Sequence, residues 1–162
     1  MPRDALSVPE VYILADDMEG AERTLRASVA NLSDRQLAKL LGSAARYGDL
    51  SILEAIIREG VDPAAKDGVE INALMAVPGG REPRIEKIEL LLENGVTLDY
   101  QTDNGFSVLD AALFNEDQVT LTWLLNQLDK SDTKHVQLVD RALGIAAEIE
   151  SPLSSDLDNW LE

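Results

Sequence analysis

Residues 102–125, TDNGFSVLDAALFNEDQVTLTWLL, decide the reading of this chain. The stretch opens on Asp103-Asn104-Gly105, a turn tripeptide whose Asn and Gly accept backbone conformations that other residues avoid. Residues 107–115 then predict a short helix of small apolar residues. Glu116-Asp117 predicts a polar break, and residues 119–125 a second helix. The order is turn, inner helix, tight bend, outer helix.

The neighbouring segments repeat it. Arg58-Glu59-Gly60-Val61-Asp62 recurs as Glu93-Asn94-Gly95-Val96-Thr97, at an offset of 35. Leu41-Gly42-Ser43-Ala44-Ala45 recurs as Leu109-Asp110-Ala111-Ala112-Leu113 and as Leu143-Gly144-Ile145-Ala146-Ala147. Upstream, Asp67-Gly68 opens a unit whose inner helix is cut short by the breaker cluster Pro78-Gly79-Gly80-Arg81-Glu82-Pro83. Ile85, Ile88, Leu91 and Leu92 form its outer helix, closed by Gly95. Before it, Ser33 and Gln36 have capping-box spacing, so a helix is expected over 34–46. Ile52, Leu53, Ile56 and Ile57 stripe the next, closed by Gly60.

The ends are less regular. Residues 1–10 hold two prolines and little periodicity, and are read as a loose lead-in. Residues 11–16 and 19–29 predict two short helices, a degenerate repeat or an N-terminal cap. After a polar linker at 129–135, residues 136–149 predict one more inner helix, broken at Ser151-Pro152. Ser155-Asp156 is read as the cap of a final short helix holding Leu157, Trp160 and Leu161. The organisation expected is a single domain: 1–32 cap helices, 33–66, 67–101 and 102–130 three repeats, and 131–162 a divergent C-terminal repeat or cap.

Over residues 37–128 the chain resembles the ankyrin-repeat family. The match is best at Leu41-x-x-Ala44-Ala45-x-x-Gly48-Asp49, Ile52-Leu53 and Gly60-Val61-Asp62. The resemblance implies an all-α fold, an ankyrin-type α-solenoid of stacked helix–turn–helix repeats with short finger turns. No unit keeps the family's Thr-Pro-Leu-His. Its place is taken by Lys39-Leu40-Leu41-Gly42, Asn72-Ala73-Leu74-Met75 and Ser107-Val108-Leu109-Asp110. A tetratricopeptide-type array has a similar period and is the competing fold. Gly-Val-Asp followed by a finger turn favours ankyrin.

The residue types bound the function. Thirty acids against fourteen bases give a net charge of −16, which argues against a nucleic-acid partner and suits a basic protein. No Lys or Arg lies between Lys87 and Lys130, where eight acids fall. Solubility alone is the plainer account of the acidity. With no Cys there is no thiolate or disulfide chemistry. No apolar run approaches a membrane span, and the start lacks a signal-peptide core, so no membrane partner and a cytoplasmic address are expected. His135, the one histidine, is read as a solvated linker residue rather than a general base. Asp156-x-Asp158-Asn159 has part of a calcium-loop spacing but lacks the turn glycine and closing Glu. No catalytic motif, cofactor or metal site is expected.

By the resemblance, partners bind at the finger tips and the concave face of the inner helices. The matching positions are Arg46 and Tyr47; Lys66, Val69 and Ile71; Asp103, Asn104, Phe106, Phe114 and Asn115; and Glu148 and Ile149. Asp110 and Asp117 are expected near that surface. Both phenylalanines of the chain fall on it, as anchors of an interface or, alternatively, packed under the finger and into the next repeat. The expected function is a non-enzymatic protein-binding module, monomeric when free. It would act as an acidic inhibitor, an immunity or antitoxin-like protein that neutralises a basic toxin or nuclease. An ankyrin adaptor or assembly subunit, in which acidity serves only solubility, is the alternative.

Overall fold

The structure, a computed structural model, describes residues 5–162. Among them are ten α-helices and no strand, and their contacts divide the chain into two compact units, one ending at Val96 and one spanning Thr97–Glu162. No described helix is long and apolar enough to cross a membrane.

The first unit holds α1 (Val8–Leu14), α2 (Met18–Val29), α3 (Asp34–Tyr47), α4 (Leu50–Arg58), α5 (Ala73–Ala76) and α6 (Arg84–Glu93). Helix α3 packs on α1, α4 and α5, while α4 also meets α2 and α6. Helix α1 starts inside the expected lead-in. Ser7 Oγ accepts from the Glu10 backbone N–H, and the Glu10 carboxylate accepts from the Ser7 N–H at 3.3 Å. This reciprocal cap escapes a reading fixed on prolines, yet Pro9 sits in the first turn, where its missing N–H costs nothing. Glu10 is buried and also accepts from Ser43 Oγ at 2.9 Å, which ties α1 to α3. Residues 1–4 of the lead-in lie outside the described residues.

Other local signals hold. Ser33 and Gln36 form the expected capping box of α3. Helix α5 has only four residues before the proline–glycine cluster ends it. Gly60 and Gly95 follow α4 and α6 with φ of 90° and 92°, where a side chain would be strained.

The second unit holds α7 (Val108–Phe114), α8 (Gln118–Gln127), α9 (Thr133–Glu148) and α10 (Ser154–Leu161). Helix α9 packs on α7 and α10, and α8 on α7 and α10. Ser155-Asp156 is not the cap of α10: Leu153 occupies that position, without a side-chain hydrogen bond. Instead Leu157 is buried and Trp160 Nε1 donates to the Leu125 carbonyl at 2.8 Å, which fixes α10 against α8. His135 lies inside α9, and its Nδ1 accepts from the Asp129 N–H at 3.0 Å.

Two local designs recur along the chain. The Asp67 N–H donates to the Ile71 carbonyl at 2.9 Å, and 35 residues later the Thr102 N–H donates to the Phe106 carbonyl at 3.0 Å. In each turn the first side chain also accepts the last N–H, and the next residue, Asn72 or Ser107, caps the following helix. Helices α4, α6 and α8 follow N-caps Asp49, Pro83 and Asp117, placed 34 residues apart. Four residues past each cap stand Leu53, Lys87 and Leu121, all wholly buried. A lysine thus occupies a core position that its two counterparts fill with leucine.

Candidate binding surfaces

In the second unit the turn Thr102–Phe106 is tight: the Gly105 N–H donates to the Thr102 carbonyl at 2.7 Å, and Gly105 has a φ of 77°. Arg141 reaches it from α9. Its Nε donates to the Gly105 carbonyl at 2.9 Å and its guanidinium also to the Asn104 carbonyl. The side chains of Asp103 and Asn104 are exposed beside it. Sequence distance had left this acidic stretch with no nearby base; the fold brings one from 36 residues on.

Phe106 closes the turn and Phe114 ends α7. Their rings stack with centroids 6.1 Å apart and planes 23° apart. Phe106 is half-buried, while Phe114 remains 57% exposed despite the stacking. An exposed ring that size on the surface of a helix end carries apolar area that water covers poorly. Asn115, half-buried, returns its side-chain N–H to the Ala111 carbonyl at 2.7 Å. Glu148 is exposed at the end of α9, followed by exposed Ile149.

Two of the expected surface acids face inward. Asp110 is 1% exposed; its Oδ2 accepts from the Ser107 N–H at 2.7 Å and Oγ–H at 3.0 Å, completing the α7 capping box. Burial raises its carboxyl above the ordinary range, opposed by the Ser107 hydrogen bonds and by Arg141. Its Oδ1 is buried without a hydrogen-bond partner. Asp117 is buried and caps α8, accepting from the Thr120 N–H at 3.1 Å and Oγ–H at 2.6 Å. Capping geometry turned both inward, so neither carboxylate is presented to a partner.

In the first unit, Tyr47 ends α3 with 48% of its surface exposed, and the Arg46 guanidinium lies 5.8 Å from its ring centre. Tyr47 lines a hollow of ≈ 390 Å³ with Ile13, Leu14, Arg46 and the Gly79–Arg81 segment. The buried Lys87 ammonium donates to three nearby carbonyls: Ala45 at 3.1 Å, Gly48 at 2.6 Å and Arg81 at 2.8 Å. Burial pulls its pKa down to about 8, with the Arg81 charge adding to the shift. Sequence reasoning passed over Lys87, because an isolated lysine in an amphipathic helix looks solvated. The available signal was its register: position 87 aligns with Leu53 and Leu121.

The residues singled out beforehand divide between the two units. Phe106 and Phe114 meet, with Asp103 and Asn104 on the same turn; Tyr47 belongs to the first unit. No family model matches the chain, and no curated protein sequence matches it.

Proposed function

We propose that the chain is a non-enzymatic, ankyrin-type protein-binding module that acts as an acidic inhibitor of a basic protein, in the manner of an immunity protein or antitoxin. The observation that carries the reading is the exposed Phe114 ring stacked on Phe106, in a unit with thirteen acids against three bases, a net of −10 over residues 97–162. Interface hot spots are built from aromatic anchors of this kind, set in surfaces whose charge selects the partner. The ankyrin assignment is supported by the recurring bridged turns at 67–71 and 102–106, each leading into a capped inner helix, and by glycines at positive φ after α4 and α6. In that reading the Ser107–Asp110 capping box stands where the family keeps Thr-Pro-Leu-His.

The experiment is affinity capture from the source cell with parent and Phe114→Ala chains as parallel baits, followed by mass spectrometry. A protein of net positive charge that is retained by the parent and lost by Phe114→Ala, and whose own activity the parent chain suppresses, is the expected result. A retained partner whose activity is untouched would favour the adaptor instead. Equal recovery on both baits would remove Phe114 from the interface. The cytoplasmic address belongs to the same proposal, and fractionation of the source cell tests it.

A further inference from the structure

Every exposed residue between positions 5 and 15 is apolar: Ala5, Leu6, Val8, Val11, Leu14 and Ala15. The four large ones keep 47–55% of their surface exposed. Val8, Val11 and Leu14 follow one another at three-residue steps, with Ala15 four after Val11, so they share one side of α1. The opposite side is docked. Pro9, Glu10 and Ile13 are buried, and Glu10, the one charged residue of the segment, turns its carboxylate to Ser7 and Ser43. A helix anchored in this way presents its apolar face already ordered, which lowers the cost of binding.

Other helices show a different outer side. Helix α9 exposes Lys134, Gln137, Asp140 and Glu148, and α2 exposes Glu19, Glu22, Arg23 and Arg26. Single apolar residues on a surface are ordinary, whereas a side made wholly of them marks a place of interaction.

The charge around α1 bears on what the face accepts. Residues 5–47, which include α1, α2 and α3, hold six acids and five bases, a net of −1. Residues 48–162 hold twenty-three acids and eight bases, a net of −15. A basic partner therefore finds little attraction at α1. A second copy of the chain meets little repulsion there, since charge is screened beyond ~8 Å at physiological salt. Helix α2, packed on α1, also balances its exposed charges at i, i+4 spacing, Glu19 with Arg23 and Glu22 with Arg26. An uncharged face in a neighbourhood of both signs is complementary to itself, as pairing about a two-fold axis requires. No other exposed apolar residues match it as well: Phe114 and Ile149 each have an exposed glutamate within two residues.

We infer that the outer face of α1 is a self-association surface, through which two copies of the chain pair about a two-fold axis. Leu6, Val8, Val11 and Leu14 of one protomer pack against the same four residues of the other. The pairing is independent of the function proposed for the Phe114 surface, and it runs against the expectation of a free monomer.

Sedimentation equilibrium of the full chain, from low to high micromolar concentration, reads the pairing. The weight-average mass should climb from 17.7 kDa toward twice that value and stop there. High salt should leave the pair intact or tighten it, because screening removes only residual repulsion. Val11→Glu sets like charges against each other at an exposed helix position. Its helix content should match the parent's by circular dichroism, and the pair should weaken roughly a hundredfold or more. Phe114→Ala should pair like the parent, which separates this surface from the other. The chain has no cysteine, so a single introduced thiol reports the contact directly. At least one of Val8→Cys, Val11→Cys and Leu14→Cys should cross-link into a dimer under mild oxidation, far faster than Val119→Cys. The inference is overturned if the parent stays monomeric throughout, if it grows past the pair, or if folded Val11→Glu pairs like the parent. Cross-linking of Val119→Cys as fast as the three α1 variants would overturn it too.

Discussion

The guanidinium of Arg141 lies directly over Gly105, so that a Cβ on residue 105 would come within 2.6 Å of Nε. Two costs therefore meet in Gly105→Ala. The left-handed backbone at φ 77° disfavours a side chain by ~1–2 kcal/mol, and the arginine must leave its two carbonyls. In an Arg141→Ala background only the first cost remains. A double-mutant cycle by urea unfolding should show positive coupling of ~0.5 kcal/mol or more. Additive effects would mean that Arg141 does not rest on this turn in solution.

Lys87 makes stability depend on pH in an alkaline window. Its native pKa of about 8 lies below the ordinary 10.5, so between those values the unfolded chain holds this proton more tightly than the native one. Stability from this group therefore rises as pH goes from 8 toward 10.5, by at most ~3 kcal/mol. Below pH 8 the burial cost is fully present. Lys87→Leu removes the titration and leaves three carbonyls without this donor. The parent's advantage over the variant should widen between pH 8 and 10 in urea melts. A constant difference would show that the ammonium is not held at a depressed pKa.

Asp110 acts in the acid range with the opposite sign. Its native pKa is raised, so the native state takes up this proton before the unfolded state does. The associated stability is present below the unfolded value of 3.8 and is lost as pH rises through the native pKa. Relative to Asp110→Asn, the parent should gain stability on mild acidification. Melts of the two chains that stay parallel from pH 7 to 4 would contradict the burial of this carboxylate.

Leu91 is wholly buried in α6. Leu91→Ala should cost ~2–5 kcal/mol through lost burial and the cavity it leaves. A cost near ~0.5 kcal/mol, the range of surface changes, would place the residue elsewhere.

How much of this was legible follows from the range over which each signal acts. Caps and turn residues act within four positions, so α3, Gly60, Gly95, the short α5 and the 102–106 turn could be read directly. The same local rule was missed at Ser7–Glu10, where two prolines suggested disorder, and misapplied at Ser155-Asp156. Facing is harder. Asp110 and Asp117 read as surface charge, but a cap at N3 or Ncap can turn inward when its helix start is buried. Contacts across 36 or 42 residues, Arg141 to Gly105 and Lys87 to Ala45, leave no local trace at all. They set the electrostatics of both candidate surfaces.

For the Phe114 surface, rate and residence should respond to different residues. Asp103 and Glu148 are exposed, and each contributes to a field that acts over ~8 Å at physiological salt, so charge reversal should slow association with a basic partner. Asp103→Lys with Glu148→Lys should lower the association rate and flatten its salt dependence. Asp117→Lys would not serve, because that carboxylate caps α8 and its loss would disturb the fold. Phe114→Ala should instead speed dissociation, a loss of ~2 kcal/mol or more, with the salt slope almost unchanged. Surface plasmon resonance on the captured partner separates the two. If the charge reversals alter only dissociation, or Phe114→Ala alters only association, steering and anchoring have been assigned to the wrong residues. If both variants bind and melt like the parent, the partner docks away from the 102–106 turn and α7.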